Sequence, residues 1–493
     1  MFDSEFLTPH SRAVYRDAIS SAVETVCNAL PDRPYSGMHP ADLAKLLRGD
    51  VLPQAESTLS NVLDRVAAVV AHSVAVSHPN TAAHFHSPAL VAALAAEVVI
   101  SALNQSMDSF DQAPAATVLE QQMIQWLCSQ AGLPAEAGGM FITGGTQANF
   151  MGLLLARDSC LQSRWNWSAQ KQGLPPEASR LRILCSEVAH FTVEKSAAQL
   201  GLGTDAVIKV ATDSSFRMCM RSLHATVDGL RGADLVPMAV VATAGTTDFG
   251  SVDPLEEIAS VCRATQIWFH VDAAYGGALL FSHQKRQLLR GIETADSIGL
   301  DFHKLFWQPI SCSAFLLRDA ERFRHIALHA DYLNPEIHDQ LGIPNLVTNS
   351  LSTTRRFDAL KLWVSLQVLG QDKLGKMIDR TLELATRAAE AIRQIPRLEL
   401  LLEPSLGCVV FRYRPQGQHD SDVLNASLRQ RLFDRGIAVI GHTRVRNRQY
   451  LKLTCMNPAV TEEQYEALLM KVAQHGQELE DELGTVQTMP CAH

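Results

Sequence analysis

Between about residues 86 and 375, short runs of aliphatic and β-branched residues alternate with stretches whose apolar residues recur at three- and four-residue spacing. Leu181–Ser186, Ala206–Ala211, Pro237–Ala244, Ile267–Val271 and Ser313–Leu317 read as strands. Thr192–Leu200, Phe216–Leu230 and Pro254–Ala264 read as the helices between them. Parallel neighbours need a crossover, and a helix supplies it, so this alternation predicts an α/β domain with a mostly parallel sheet covered on both faces. In such sheets ligands sit beyond the carboxyl ends of the strands, which directs attention to the residues that follow each run.

The flanks are organised differently. Residues 1–85 are expected to form a helical preface, with helices near Tyr15–Leu30 and Ser57–Val76, and residues 86–375 the large domain. Residues 376–493 are expected to form a smaller α+β domain, with a first helix near Gly375–Gln394 and a last one from Thr461. Its strands are Leu398–Leu402, Cys408–Tyr413, Ala438–Ile440 and Tyr450–Thr454, around a helix near Asp422–Arg435. The apolar run Leu90–Leu103 contains Glu97 and falls short of a bilayer span, so it is expected to be a buried helix and no membrane partner is expected.

A chain of 493 residues, 47% hydrophobic, can bury a large core without disulfides. Its net charge of −9 and lack of a basic block argue against nucleic acid as a partner. The ten cysteines, Cys491 among them, stand singly with no His at zinc-ligand spacing, which predicts reduced thiols and no metal site. The acidic start MFDSEFLTPH is unlike a signal or transit peptide, and a cytoplasmic location is expected.

Four segments carry the chemistry. Gly138-Gly139-Met140-Phe141-Ile142-Thr143-Gly144-Gly145-Thr146-Gln147-Ala148-Asn149 leads into a helix, so backbone N–H groups can converge on a phosphate, although a structural turn explains the glycines equally well. Ser186-Glu187-Val188-Ala189-His190 ends a strand in a His, which is either structural or functional. Thr243-Ala244-Gly245-Thr246-Thr247 ends another in hydroxyls that either cap the helix after Asp253-Pro254 or serve a ligand. In His270-Val271-Asp272-Ala273-Ala274 an Asp at a strand end needs a cation to justify its burial, and small neighbours leave room for a flat ring. Downstream, Asp301-Phe302-His303-Lys304 places Lys304 among largely uncharged residues, poised to lose its proton and attack a carbonyl. Phosphate cradle, ring-nitrogen carboxylate, stacking surface and lysine are together what pyridoxal phosphate requires.

In this order the motifs TGGTQAN, HVDAAYGG and DFHK resemble the group II pyridoxal-phosphate-dependent amino acid decarboxylases, over nearly the whole chain. The resemblance implies an aspartate-aminotransferase-like fold (fold type I) with a seven-stranded sheet, and pyridoxal 5'-phosphate as cofactor. Thr146 and Gln147 would bind its phosphate with His303 beside them, His190 would stack on the ring, Ala274 would pack on the other face, Asp272 would protonate the ring nitrogen, and Thr246 would lie near the phenolic oxygen or the substrate. Lys304 would be the Schiff-base lysine, and Tyr332, on a breaker-rich loop with His325, His329 and His338, would protonate Cα. The turn Asn349–Arg356, with Thr354 and two arginines suited to an anion, would reach the neighbouring subunit's phosphate in a homodimer with composite sites and an intertwined helical preface.

Within that family the likeness is to bacterial siderophore-pathway decarboxylases acting on L-2,4-diaminobutyrate, lysine or ornithine, which would make the diamine and CO2 for siderophore or polyamine synthesis. His84, His86, Asp108 and Asp111 are candidates to receive a second ammonium, or else loop caps and a solvated His pair. A decarboxylase of aromatic or acidic amino acids, an aminotransferase and a catalytically silent scaffold are the competing readings.

Overall fold

The computed structural model describes residues 5–417 and 419–487; Cys491 lies outside them. The chain divides into two compact units. One runs to Pro88 and resumes over Leu384–Glu403 and from Gly407; the other comprises Ala89–Glu383 and Pro404–Leu406.

The larger unit is built on seven strands, β1 (Gly138–Ile142), β2 (Leu181–Ser186), β3 (Val207–Val210), β4 (Val236–Thr243), β5 (Trp268–Asp272), β6 (Ser297–Asp301) and β7 (Ser313–Leu317). They lie in the order β1-β7-β6-β5-β4-β2-β3. β7 is antiparallel to both neighbours and every other pair is parallel. The central strands are buried along their whole length, as expected where helices cover both faces. β6, Ser-Ile-Gly-Leu-Asp, lacks a β-branched run, and its glycine has a packing reason: a Cβ on Gly299 would stand 2.6 Å from Ala148 Cβ.

That contact belongs to the helix Gly145–Trp165, which crosses the sheet on a face of small residues. Gly145, Ala148, Asn149 and Gly152 share this face at helical spacing and approach Ala274, Gly299, Asp272 and His270. Side chains this small let the helix axis sit close to β5 and β6, and so bring its amino terminus to the strand ends.

The helix Val91–Leu103 corrects an expectation. It buries Ala93, Ala96 and Ile100, while Val91, Leu94, Val99 and Leu103 are exposed, so it is a surface helix with an apolar outer face. The long helix Ala359–Gln394 is interrupted at Gly370, whose φ of 69° only glycine adopts readily.

In the smaller unit, Leu398–Leu400, Cys408–Tyr413, Arg448–Thr454 and Val439–Val445 form an antiparallel sheet, extended by the parallel pair Thr81–Ala82. Its core joins Val409, Phe411 and Leu451 to Leu428 and Leu432 of the helix Ser421–Asp434 and Leu468 of the helix Glu462–Gln487. The helices Arg12–Ala29 and Leu59–Ala71 bury no residue at all.

One buried ion pair anchors the segment that precedes Ala359. Glu120, on the helix Pro114–Gln130, accepts from Phe141 N (3.1 Å) and from Arg355 Nη1 (2.9 Å), and the same nitrogen donates to Phe141 O (3.0 Å). Burial pushes the Glu120 carboxyl up and the Arg355 charge pulls it back. Removing one partner strands the other charge in the interior, so Glu120→Leu is expected to destabilise the fold by about 3–5 kcal/mol in urea unfolding; a loss within about 0.5 kcal/mol, the range of ordinary surface substitutions, would show the pair to be dispensable.

Candidate active site

The amino terminus of the helix Gly145–Trp165 has no side-chain cap, its N-cap being Gly144. A Cβ on Gly145 would lie 3.0 Å from Ala274 Cβ and 3.3 Å from Asp301 Oδ2, and one on Gly144 would approach His303. Helix start, Ala274, Asp301 and His303 therefore converge. Gln147 folds back so that its Oε1 accepts from Thr143 N (3.1 Å) and Thr143 Oγ1 (2.9 Å). This turns the amide nitrogen into the end left to donate. Thr143, Thr146, Gln147 and Phe150 line a shallow pocket there with Gln199.

Lys304 follows β6 by three residues, and its surroundings differ from the expected uncharged setting. The buried carboxylate of Asp301 lies 3.1 Å from Lys304 Nζ and 3.6 Å from His303 Nε2, and accepts from Ser313 Oγ at 2.7 Å. The lysine thus stands in an ion pair, and Asp301 is a site residue that sequence reading overlooked although it sits in the DFHK motif. His303 is fixed by its Nδ1 contact with Cys312 O (3.0 Å); burial lowers its imidazole and Asp301 opposes this.

Asp272, at the end of β5, is nearly buried. Its Oδ2 accepts from Asn149 Nδ2 (2.8 Å) and its Oδ1 from Ala274 N (3.2 Å). Asn149 also donates to Thr192 Oγ1 (2.9 Å), which contacts His190 Nδ1 (2.8 Å). One amide therefore ties the carboxylate to the histidine. Burial lowers the His190 imidazole against the pull of Asp272. Asn149 is the second site residue not singled out from sequence; the signal was a lone polar side chain among Gly145, Ala148 and Gly152 on one helix face.

Two groups are engaged otherwise than expected. Thr246 is fully buried and its hydroxyl belongs to a turn: Oγ1 accepts from Ser251 N (3.1 Å) and contacts Ser251 Oγ (2.7 Å), which itself donates to Phe216 O (2.7 Å). With Ser251's hydrogen given to Phe216, Thr246 must give its own to Ser251, so this hydroxyl closes the turn and does not cap the helix Leu255–Thr265, which has no side-chain cap. Asp253 completes that turn by accepting from Thr243 N and Met218 N. Arg355 and Arg356 are paired within the chain, with Glu120 and Glu97 respectively. Thr354 is exposed.

Tyr332 is 89% exposed. It projects from a loop that the buried Asn334 organises, donating to Leu328 O (2.8 Å) and accepting from Ala330 N (3.1 Å). Asp108 is buried, with Oδ1 accepting from Ser109 N (2.8 Å), and Asp111 Oδ1 accepts from Ser109 Oγ (2.6 Å). Their loop is held by Phe110 N donating to Asn345 Oδ1 (3.1 Å) and Val347 N donating to Asp108 O (3.0 Å). His84 and His86 belong to the smaller unit and are exposed, 5.7 Å apart between ring centroids.

The donor set suits a phosphorylated pyridine aldehyde: an uncapped helix start for the anion, a hydrogen-bonded carboxylate for a ring nitrogen, an amine for the aldehyde. Sheet and site together are those of a pyridoxal-phosphate enzyme of the aspartate-aminotransferase-like fold. A family profile described as the pyridoxal-dependent decarboxylase conserved domain matches residues 40–414. The chain belongs to that family, and is a pyridoxal-phosphate-dependent carboxy-lyase. It is 40% identical over 490 residues to L-2,4-diaminobutyrate decarboxylase of Acinetobacter baumannii, covering 97% of this chain and 96% of that one. It is 42% identical over 475 residues to the enzyme so named in Rhizobium meliloti (strain 1021), covering 95% and 93%. Among solved structures, the glutamate decarboxylase domain of diaminobutyrate-pyruvate transaminase and L-2,4-diaminobutyrate decarboxylase from Vibrio parahaemolyticus superposes with a TM-score of 0.90 at 40% identity, over 97% of this chain and 99% of that one. Among the described residues no helix is long and apolar enough to cross a membrane.

Proposed function

We propose that the protein decarboxylates L-2,4-diaminobutyrate to 1,3-diaminopropane and CO2. The observation that carries this reading is the 40–42% identity, sustained over nearly the whole chain, to two enzymes named for that substrate. Asp108 and Asp111 are the carboxylates this reading offers to a second ammonium; each also accepts within its own loop, from Ser109 N and Ser109 Oγ.

When bound, pyridoxal phosphate supplies a cationic ring that takes up the electron pair left as carbon dioxide departs. The chain's own groups do the rest. Lys304 would hold the cofactor by condensing with its aldehyde, with loss of water, and Asp301 stands beside it to compensate its charge. The helix start, Thr146, Gln147 and His303 would hold the phosphate, Asp272 would keep a proton on the ring nitrogen, and His190 and Ala274 would flank the ring. Tyr332 delivers a proton to Cα, which requires its exposed loop to close over the site.

We further infer a homodimer in which Thr354 of one protomer reaches the phosphate of its partner. The helices Arg12–Ala29 and Leu59–Ala71 carry exposed Val14, Val23, Val26, Leu59, Val62 and Val69, an apolar surface that a second copy would cover. The nine described cysteines are all free, which fits a reaction housed in the cytoplasm.

Purified holoenzyme given L-2,4-diaminobutyrate, ornithine, lysine, cysteine sulfinate and tyrosine in turn is expected to release CO2 fastest from the first, with 1,3-diaminopropane as the amine. Turnover confined to cysteine sulfinate or tyrosine would overturn the substrate assignment. In the same assay Tyr332→Phe should retain its cofactor and lose about a hundredfold or more in kcat for decarboxylation. An unchanged rate would remove Tyr332 as the proton donor.

A further inference from the structure

We propose that His270, two residues before Asp272 on the same strand, is a positioning residue: it fixes the polarity of the Asn149 amide and thereby orients both Asp272 and His190. The inference rests on the reading of Asp272 as the partner of the cofactor's ring nitrogen. It concerns a group that touches neither cofactor nor substrate.

The directions of the hydrogen bonds follow from one end. A carboxylate at Asp272 only accepts, so Asn149 must turn its Nδ2 toward Oδ2 (2.8 Å). That leaves Asn149 Oδ1 facing His270 Nε2 at 2.9 Å, so the imidazole must donate there. A neutral ring with its hydrogen on Nε2 must accept at Nδ1, where Ser297 Oγ lies at 2.8 Å. Ser297 then donates to His270 and is able to accept from Trp268 Nε1 at 2.9 Å. On the other branch Asn149 donates to Thr192 Oγ1, whose own hydrogen passes to His190 Nδ1 (2.8 Å), and Thr192 N points at the same nitrogen (3.4 Å). His190 therefore carries its hydrogen on Nε2. Every donor from Trp268 to Asp272 has a single consistent direction.

Burial makes this arrangement rigid. His270 and Ser297 have no exposed surface, and Asn149 and Thr192 are 1% exposed. Burial pushes the His270 imidazole down to about 4, the Asp272 charge opposing it, so the ring has one N–H to give. The ring's space is reserved by Gly152, where a Cβ would stand 2.6 Å from His270 Nδ1. With His270 replaced by a group that cannot donate, Asn149 Oδ1 is left unpaired in the interior. Rotation of the amide to relieve that would turn oxygen toward the Asp272 carboxylate.

The test compares His270→Phe, which fills the space without polar atoms, with His270→Gln, which retains an acceptor and a donor. Apoprotein of each is titrated with pyridoxal phosphate, and kcat and KM are measured on the amino acid the wild type turns over. His270→Phe is expected to weaken cofactor binding and lower kcat by about 10- to 100-fold each, with KM little changed, and His270→Gln to recover most of both. Ser297→Ala, which leaves the ring in place but removes the hydroxyl donated to Nδ1, should cost about 3- to 10-fold; it decides the matter alone if His270→Phe does not fold. In apoprotein labelled with 15N-histidine, the His270 ring is expected as the Nε2–H tautomer.

Wild-type cofactor affinity in His270→Phe or Ser297→Ala, a glutamine variant no better than the phenylalanine one, or an Nδ1–H tautomer would each overturn the proposal. Asp272→Asn is run beside them. Were that variant to bind cofactor and turn over like the wild type, the reading of Asp272 would fail, and this inference with it.

Discussion

Lys304→Ala is expected to abolish covalent attachment of the cofactor and to reduce turnover by about a thousandfold or more. The variant should purify without the yellow colour of the wild type, and borohydride treatment should fix the cofactor to wild-type protein at position 304 but to nothing in the variant. The fold should survive: the side chain is about one-fifth exposed, and its ionic partner Asp301 keeps Ser313 as a donor. Pyridoxal phosphate would still be drawn to the uncapped helix start and to Asp272, so weakened, non-covalent binding is the expected residue of function. A Lys304→Ala protein that still traps cofactor under borohydride would place the reactive amine elsewhere.

Asp272→Asn is expected to lower kcat by about 10²- to 10³-fold, the scale seen when one preorganised electrostatic partner is withdrawn. The amide is nearly isosteric and its oxygen can still accept from Asn149, at the cost of the longer bond from Ala274 N, so packing should change little and the thermal midpoint should fall only modestly. What it loses is the negative charge that keeps the ring nitrogen protonated. The loss should therefore appear in kcat more than in KM, and in weaker retention of the cofactor on dialysis. Full activity in this variant would show that the ring works without its proton, and would remove the physical reason for burying an acid at the end of β5.

How much of this was legible beforehand depended on the kind of signal. Strands with compact apolar runs, such as β2 and β7, could be read to the residue, because burial on both faces demands continuous apolar sequence. β6 could not: Ser297, Gly299 and Asp301 interrupt it, each for a reason supplied by a neighbour, namely the His270 ring, Ala148 and Lys304. The same division holds at the site. Asp272, His190 and Lys304 stood out because each is chemically conspicuous at a strand end. Asn149 and Asp301 act on those residues from a helix and from the next strand, and their partners are visible only once the chain is folded. Thr246, Arg355 and Arg356 have intrachain partners that their sequence neighbours do not announce. A hydroxyl at a strand end suits a ligand and guanidinium groups suit an anion, yet here they also meet the turn at Ser251 and the carboxylates of Glu120 and Glu97.

The absent side chain at position 152 and the bulky ring at position 270 are two halves of one joint. A lineage that enlarges the first must shrink the second in the same step or displace the acid two residues further on. Substitutions at the pair are therefore expected to travel together, and a redesign of this scaffold that treats the glycine as a filler site for helix stabilisation would unseat the catalytic centre from behind.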